Sequence, residues 1–184
     1  MGYITFLIVV IVLGYLIFIY NRFVRLQTLA VEAWSGIDVQ LQKRHDLIPN
    51  IVKTVQAYQV HEKTLLEEIT KLRADGIKTN EVDQLENIEI KLSQSLGKLF
   101  VVVENYPELK ASENFLELQK ELSKVENDLQ KARRYYNGSV RNYNILVEQF
   151  PSNVIAKAFN HQQKKFFDIQ NETEKAIPII NFNS

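Results

Sequence analysis

The chain contains no cysteine. Disulfides, thiolate metal centres and cysteine nucleophiles are therefore excluded. It has no net charge either, because 22 Lys and Arg balance 22 Asp and Glu. No bulk field then recruits nucleic acid, and no nucleic-acid partner is expected. Six glycines and four prolines in 184 residues leave room for long helices, and the length suits one folded domain. There is no HExxH, P-loop, dinucleotide-binding glycine pattern or nucleophile elbow. Of the histidines His45, His61 and His161, none follows a glutamate by three, so the Glu-x-x-His pairs of a di-metal carboxylate bundle are missing. His61 and Glu62 are adjacent and would point about 100° apart on a helix. No metal or cofactor is expected, and no enzymatic activity. A nucleophile–base pair assembles in space and leaves no linear signature.

What the chain does have is an uncharged apolar run over residues 3–20, YITFLIVVIVLGYLIFIY. At 1.5 Å per residue it would span about 27 Å, close to the hydrocarbon thickness of a bilayer. Tyr3, Tyr15 and Tyr20 suit the interfaces. A basic n-region and a small-x-small cleavage site are missing, so the run reads as an uncleaved anchor over residues 1–21 rather than a signal peptide. A buried core segment is the competing reading, but little else in the chain could cover it on all sides. Arg22 and Arg25 follow the run closely, which favours a short outside N-terminus and a cytoplasmic body.

Beyond the anchor, apolar residues step by three and four. Phe23, Leu26, Ala30, Ala33 and Ile37 form a seam that Gln40 and Arg44 continue, flanked by Val24, Val31, Trp34, Asp38 and Leu41. A second seam runs Ile48, Ile51, Val55, Tyr58, Glu62, Leu65, Ile69, Leu72, with a carboxylate at its middle. Pro49 lies between the two. It lacks an N–H, and it disfavours the α region at Ile48. The expectation is a helical hairpin cornering at 44–47, with Asp46 as N-cap; one long helix kinked at Pro49 is the alternative. The helices are then placed at about 22–45, 47–75, 80–105 and 108–149. Gly76 would be a positive-φ residue closing the second, and Gly97 would mark a close approach within the third. The last carries the longest seam, from Phe115 through Tyr136 to Val147. Phe150-Pro151 breaks the chain, Ser152 caps a short amphipathic segment, and residues 151–184 otherwise read as an irregular tail. The fold class expected is all-α: an N-terminal transmembrane helix leading into an antiparallel up-down-up-down four-helix bundle over 22–150.

The blocks EAWSGIDVQLQKRHDLIPNIV at 32–52, NYPELKA at 105–111, ARRYYNGSVRNYN at 132–144 and FPSNVIA at 150–156 resemble the LemA family, and they come in that family's order. The resemblance covers about residues 20–156. It implies a bacterial membrane protein with one N-terminal transmembrane helix, a short outside N-terminus and a helical-bundle body, and it carries over no catalytic residues.

Two groups of residues are candidates for function. A hairpin cornering near 46 brings Asp38 and Glu62 toward one height, the returning fourth helix adds Arg133 there, and Arg44 lies on the seam of the first helix. These four form the candidate buried polar network. It reads either as a register-fixing network or as a ligand or metal site, because buried carboxylates need partners. The second group is Phe159, Lys164, Lys165, Phe166 and Phe167, a candidate membrane-surface contact or an aromatic tail folded over the body. Trp34 lies in an apolar stripe and reads as core, with a docking role as the minority reading. The function expected is a non-catalytic scaffold or adaptor. Its partners are the bilayer, through residues 3–20, and an unidentified protein or a second copy of the chain.

Overall fold

The computed structural model describes residues 1–58, 60–79 and 81–167. The regular elements among the described residues are all helices, with no strand. In order, the helices are α1 (Gly2–Ala57), α2 (Lys63–Lys78), α3 (Val82–Val103), the single turn α4 (Pro107–Lys110), α5 (Glu113–Glu148) and α6 (Ser152–Ala158). The start of α1 is apolar and long enough to cross a membrane, and residues 1–18 are all exposed.

The expected corner at 44–47 is not there. Helix α1 continues through Pro49 to Ala57, and Asp46 is an exposed mid-helix residue. Proline in a helix interior removes the bond to the carbonyl four residues earlier, at a cost of about 3 kcal/mol. Here that carbonyl belongs to His45. It accepts instead from Arg73 Nε on α2, at 2.5 Å. A hydrogen bond from a charged donor contributes about 1.5–3 kcal/mol, enough to offset much of the loss. The chain reverses later, between Ala57 and Lys63, which brings Arg73 and Gly76 back against His45. Glu62 is the exposed N-cap of α2, not a seam residue.

The chain forms two compact units, one comprising Met1–Leu41 with Glu126–Phe166, the other Gln42–Val125 with Phe167. In the second, Ile48, Ile51 and Val55 of α1, Leu66 and Ile69 of α2, Leu92, Leu96, Leu99 and Val103 of α3, Leu109 of α4 and Phe115 and Leu122 of α5 share one core. In the first, Ile19 and Phe23 pack with Tyr143 and Leu146 of α5 and Ile155 and Ala156 of α6.

The glycines behave differently from expectation. Gly76 lies inside α2 and has no positive φ. It is small because a Cβ there would stand 3.1 Å from both Glu89 Oε1 and His45 Nε2. Gly97 is exposed, and among the described residues a Cβ on it would meet nothing within 4 Å.

Candidate functional site

The buried polar cluster lies in the unit containing Gln42–Val125. Arg44 is 1% exposed and Glu89 0%. Arg44 Nη1 donates to Glu89 Oε2 at 2.5 Å, and Arg44 Nη2 donates to Ser93 Oγ at 2.7 Å. His45 Nε2 reaches Glu89 Oε1 at 2.7 Å. Arg73 closes the group through the His45 carbonyl. Burial pushes the Glu89 carboxyl toward its neutral form, but the His45 hydrogen bond and the Arg44 guanidinium outweigh this and hold its pKa below the usual 4.5. The carboxylate therefore stays ionised, with both oxygens engaged.

Heptad spacing explains how these residues come together. Ile37, Leu41, Arg44, Ile48, Ile51 and Val55 step 4-3-4-3-4 along α1, and all are buried. On α3 the buried residues Leu85, Glu89, Leu92, Leu96, Leu99 and Val103 have the same spacing, with Ser95 buried beside them. Arg44 and Glu89 thus occupy seam positions on their helices. A buried ion pair loses hydration and recovers it only with good geometry and further hydrogen bonds; here those are supplied by His45 and Ser93.

Through these bonds the cluster links α1, α2 and α3. Two surface grooves lie in the same unit, one lined by Gln56, Lys63, Leu66, Glu67, Thr70, Lys71 and Ala74, the other by Tyr58, Asn105, Tyr106, Pro107, Glu108 and Leu109. Neither reaches the cluster. Among the described residues, no three His, Asp or Glu side chains are grouped to hold a metal ion.

Of the four residues anticipated as a network, Arg44 sits in this cluster. Glu62 and Asp38 are exposed and Arg133 is half-buried on α5. Asp38 and Arg133 belong to one unit, Glu62 and Arg44 to the other. The expectation failed for Glu62 because its height was set from a corner that does not exist. Partial desolvation still raises the Asp38 carboxyl above its ordinary 3.8. Sequence reasoning missed His45, Arg73, Glu89 and Ser93. Glu89 had a signal: it keeps the 4-3-4-3-4 steps that run from Leu85 to Val103.

The other unit is organised around rings. Trp34 meets Tyr136 edge-on at 5.2 Å, consistent with its place in an apolar stripe. His161 stacks on Phe23 at 4.4 Å with the planes 9° apart, and its Nδ1 lies 3.2 Å from Tyr143 Oη. Desolvation lowers the pKa of His161 below 6.5. Residues 161–167 have no regular secondary structure, yet they are tied to α5. Asn144 Nδ2 donates to the Lys164 carbonyl and Asn144 Oδ1 accepts from the Lys164 amide, both at 2.9 Å, while Tyr136 Oη donates to the Lys165 carbonyl. The Lys164 ammonium stands 5.6 Å over the Tyr143 ring; Phe167, which belongs to the unit containing Gln42–Val125, is fully buried. Lys164 and Phe167 therefore face protein, which corrects their assignment to a lipid surface. Phe159, Lys165 and Phe166 are exposed. The ending around Pro178 and Phe182 lies outside the described residues.

Comparison with known proteins bears on this architecture. The chain is 23% identical over 203 residues to magnetosome protein MamQ 2 of Paramagnetospirillum magneticum, covering 96% of the chain and 74% of that protein. It is 26% identical over 154 residues to protein LemA of Metamycoplasma hominis, covering 80% and 70% respectively. The apolar N-terminal helix and these relatives fit a membrane protein. The LemA family model matches residues 33–182, and with most of the chain so matched, the protein belongs to the LemA family.

Proposed function

We propose that the protein is a single-pass, membrane-anchored scaffold or adaptor without catalytic activity, working through protein partners or self-association. Residues 3–20 cross the bacterial inner membrane with the N-terminus outside. The body stands on the cytoplasmic side as a coiled-coil-like four-helix bundle. The observation that carries the reading is the mutual engagement of Arg44, His45, Glu89 and Ser93: both Glu89 oxygens and both terminal Arg44 nitrogens are hydrogen-bonded within this group inside the protein. An enzyme needs at least some such groups presented to substrate. Arg22 and Arg25 just past the apolar run support the orientation.

Affinity capture of the full chain from gently solubilised membranes, with chemical cross-linking beforehand, tests the scaffold reading. A stoichiometric partner or a defined oligomer is expected. Repeated recovery of the protein alone and monomeric would overturn it. Protease accessibility in right-side-out vesicles tests the orientation, and digestion of the body from outside would reverse it.

A further inference from the structure

Helix α6 covers one face and leaves another bare. Ser152, Ile155 and Ala156 are buried, and the last two pack with Ile19 and Phe23 of α1. On the outward side Val154 is 61% exposed; Phe150, just before the helix, is 81% exposed and Phe159, just after it, 59%. Polar residues normally occupy the outer face of a surface helix. Here three large apolar side chains stand out within ten residues, accompanied by the exposed Lys157.

Their position identifies what covers them. The Phe159 ring lies 5.0 Å from the Tyr20 ring, and Tyr20 ends the apolar run. Each headgroup zone adds about 6 Å beyond the hydrocarbon core. At 1.5 Å per residue, about four residues of α1 past Tyr20 lie in that zone. Ile19 and Phe23, the residues that α6 packs on, bracket the boundary. Arg22 and Arg25 are exposed at the same height and, with Lys157, supply positive charge suited to anionic headgroups. Glu148, the acidic residue at the end of α5, is hydrogen-bonded to Gln163.

From this we infer that α6 and its flanking phenylalanines form a foot that lies in the headgroup region of an anionic bilayer, with Phe150, Val154 and Phe159 entering the acyl boundary and Arg22, Arg25 and Lys157 pairing with lipid phosphates. Amphipathic interfacial segments combine these two contributions, buried apolar area and attraction to anionic lipid. The foot rests on the reading of residues 3–20 as a membrane span and goes beyond it. It gives the body a second attachment beside the anchor.

The native chain has no cysteine, so single labels can be placed at will. Val154→Cys and Lys157→Cys report on the foot. Val10→Cys reports on the anchor and Lys131→Cys on exposed body, about 25 Å back along α5 from its end. Each full-length variant carries an environment-sensitive fluorophore and is reconstituted into phosphatidylcholine–phosphatidylglycerol vesicles. A matched set contains lipid with a nitroxide near the headgroup, and another contains nitroxide deep in the acyl chain. The foot labels should be blue-shifted relative to position 131 and quenched several-fold more by the shallow nitroxide, while position 10 is quenched by the deep one. Foot labels as unquenched as position 131, with position 10 still quenched, would overturn the foot and leave the anchor standing. An unquenched position 10 would overturn the anchor and the foot with it. A foot label shielded from water but not quenched, with shielding that follows the protein-to-lipid ratio, would assign this face to a second copy of the chain and also overturn the inference.

Discussion

In the unit containing Gln42–Val125, an ionised pair sits at essentially zero exposure among aliphatic side chains. In the unit formed by Met1–Leu41 and Glu126–Phe166, cohesion comes from stacked rings and from side chains that grip an irregular backbone segment. The first arrangement is strongly directional, because an ion pair that loses a partner leaves an uncompensated charge in a low-dielectric interior. The second is distributed, and each contact contributes about 0.5–1.5 kcal/mol. Local damage should therefore be severe in one unit and graded in the other.

Glu89→Ala gives the sharpest test of that contrast. It strands the Arg44 charge and should cost about 3–5 kcal/mol in urea unfolding of the solubilised protein. Replacing both partners by Met and Leu should recover most of the loss. If Glu89→Ala costs no more than an exposed substitution, the pair does not organise its unit. Gly76→Ala should be next, at about 1–3 kcal/mol, because the new methyl meets His45 and Glu89, which their mutual hydrogen bonds hold in place. Asn144→Ala should cost about 1 kcal/mol, with hydrogen exchange at the Lys164 amide rising while exchange in α3 is unchanged.

Acid separates the units by pH window. The unfolded chain holds a proton on His161 more tightly than the folded one does, so that contribution is complete above pH 6.5 and lost as pH falls below it. The Glu89 contribution is complete above 4.5 and lost only as pH falls through the lowered folded pKa. Exchange around 161–166 should thus rise before exchange around α3. The reverse order would break the comparison. The smallest effect expected is a gain: Gly97→Ala, in open space on an exposed helical face, should stabilise by about 0.5–1 kcal/mol.

Much of the helical layout was written in the spacing of apolar residues. The reading of 80–105 and 108–149 as helices compares with Val82–Val103 and Glu113–Glu148. The corner expected at 44–47 was misplaced because the rule for proline is local, whereas the bond that satisfies the orphaned carbonyl comes from Arg73. The ion pair was half legible. Arg44 and Glu89 both keep heptad register, but a seam position alone does not reveal which charged residue on another helix completes the pair. The segment 161–167 was not legible beyond its aromatic residues, since side-chain bonds to main-chain groups leave no periodic trace.

The carbonyl of His45 carries one more implication, which concerns the order of synthesis. A ribosome delivers α1 from its N-terminus, and the donor that completes the helix at Pro49 lies 28 residues further on than the acceptor. Until Arg73 has emerged, the nascent rod has a gap in its hydrogen-bond ladder four residues before the proline. The hydrogen-bonding of the first helix at its proline is thus completed by a donor from the second.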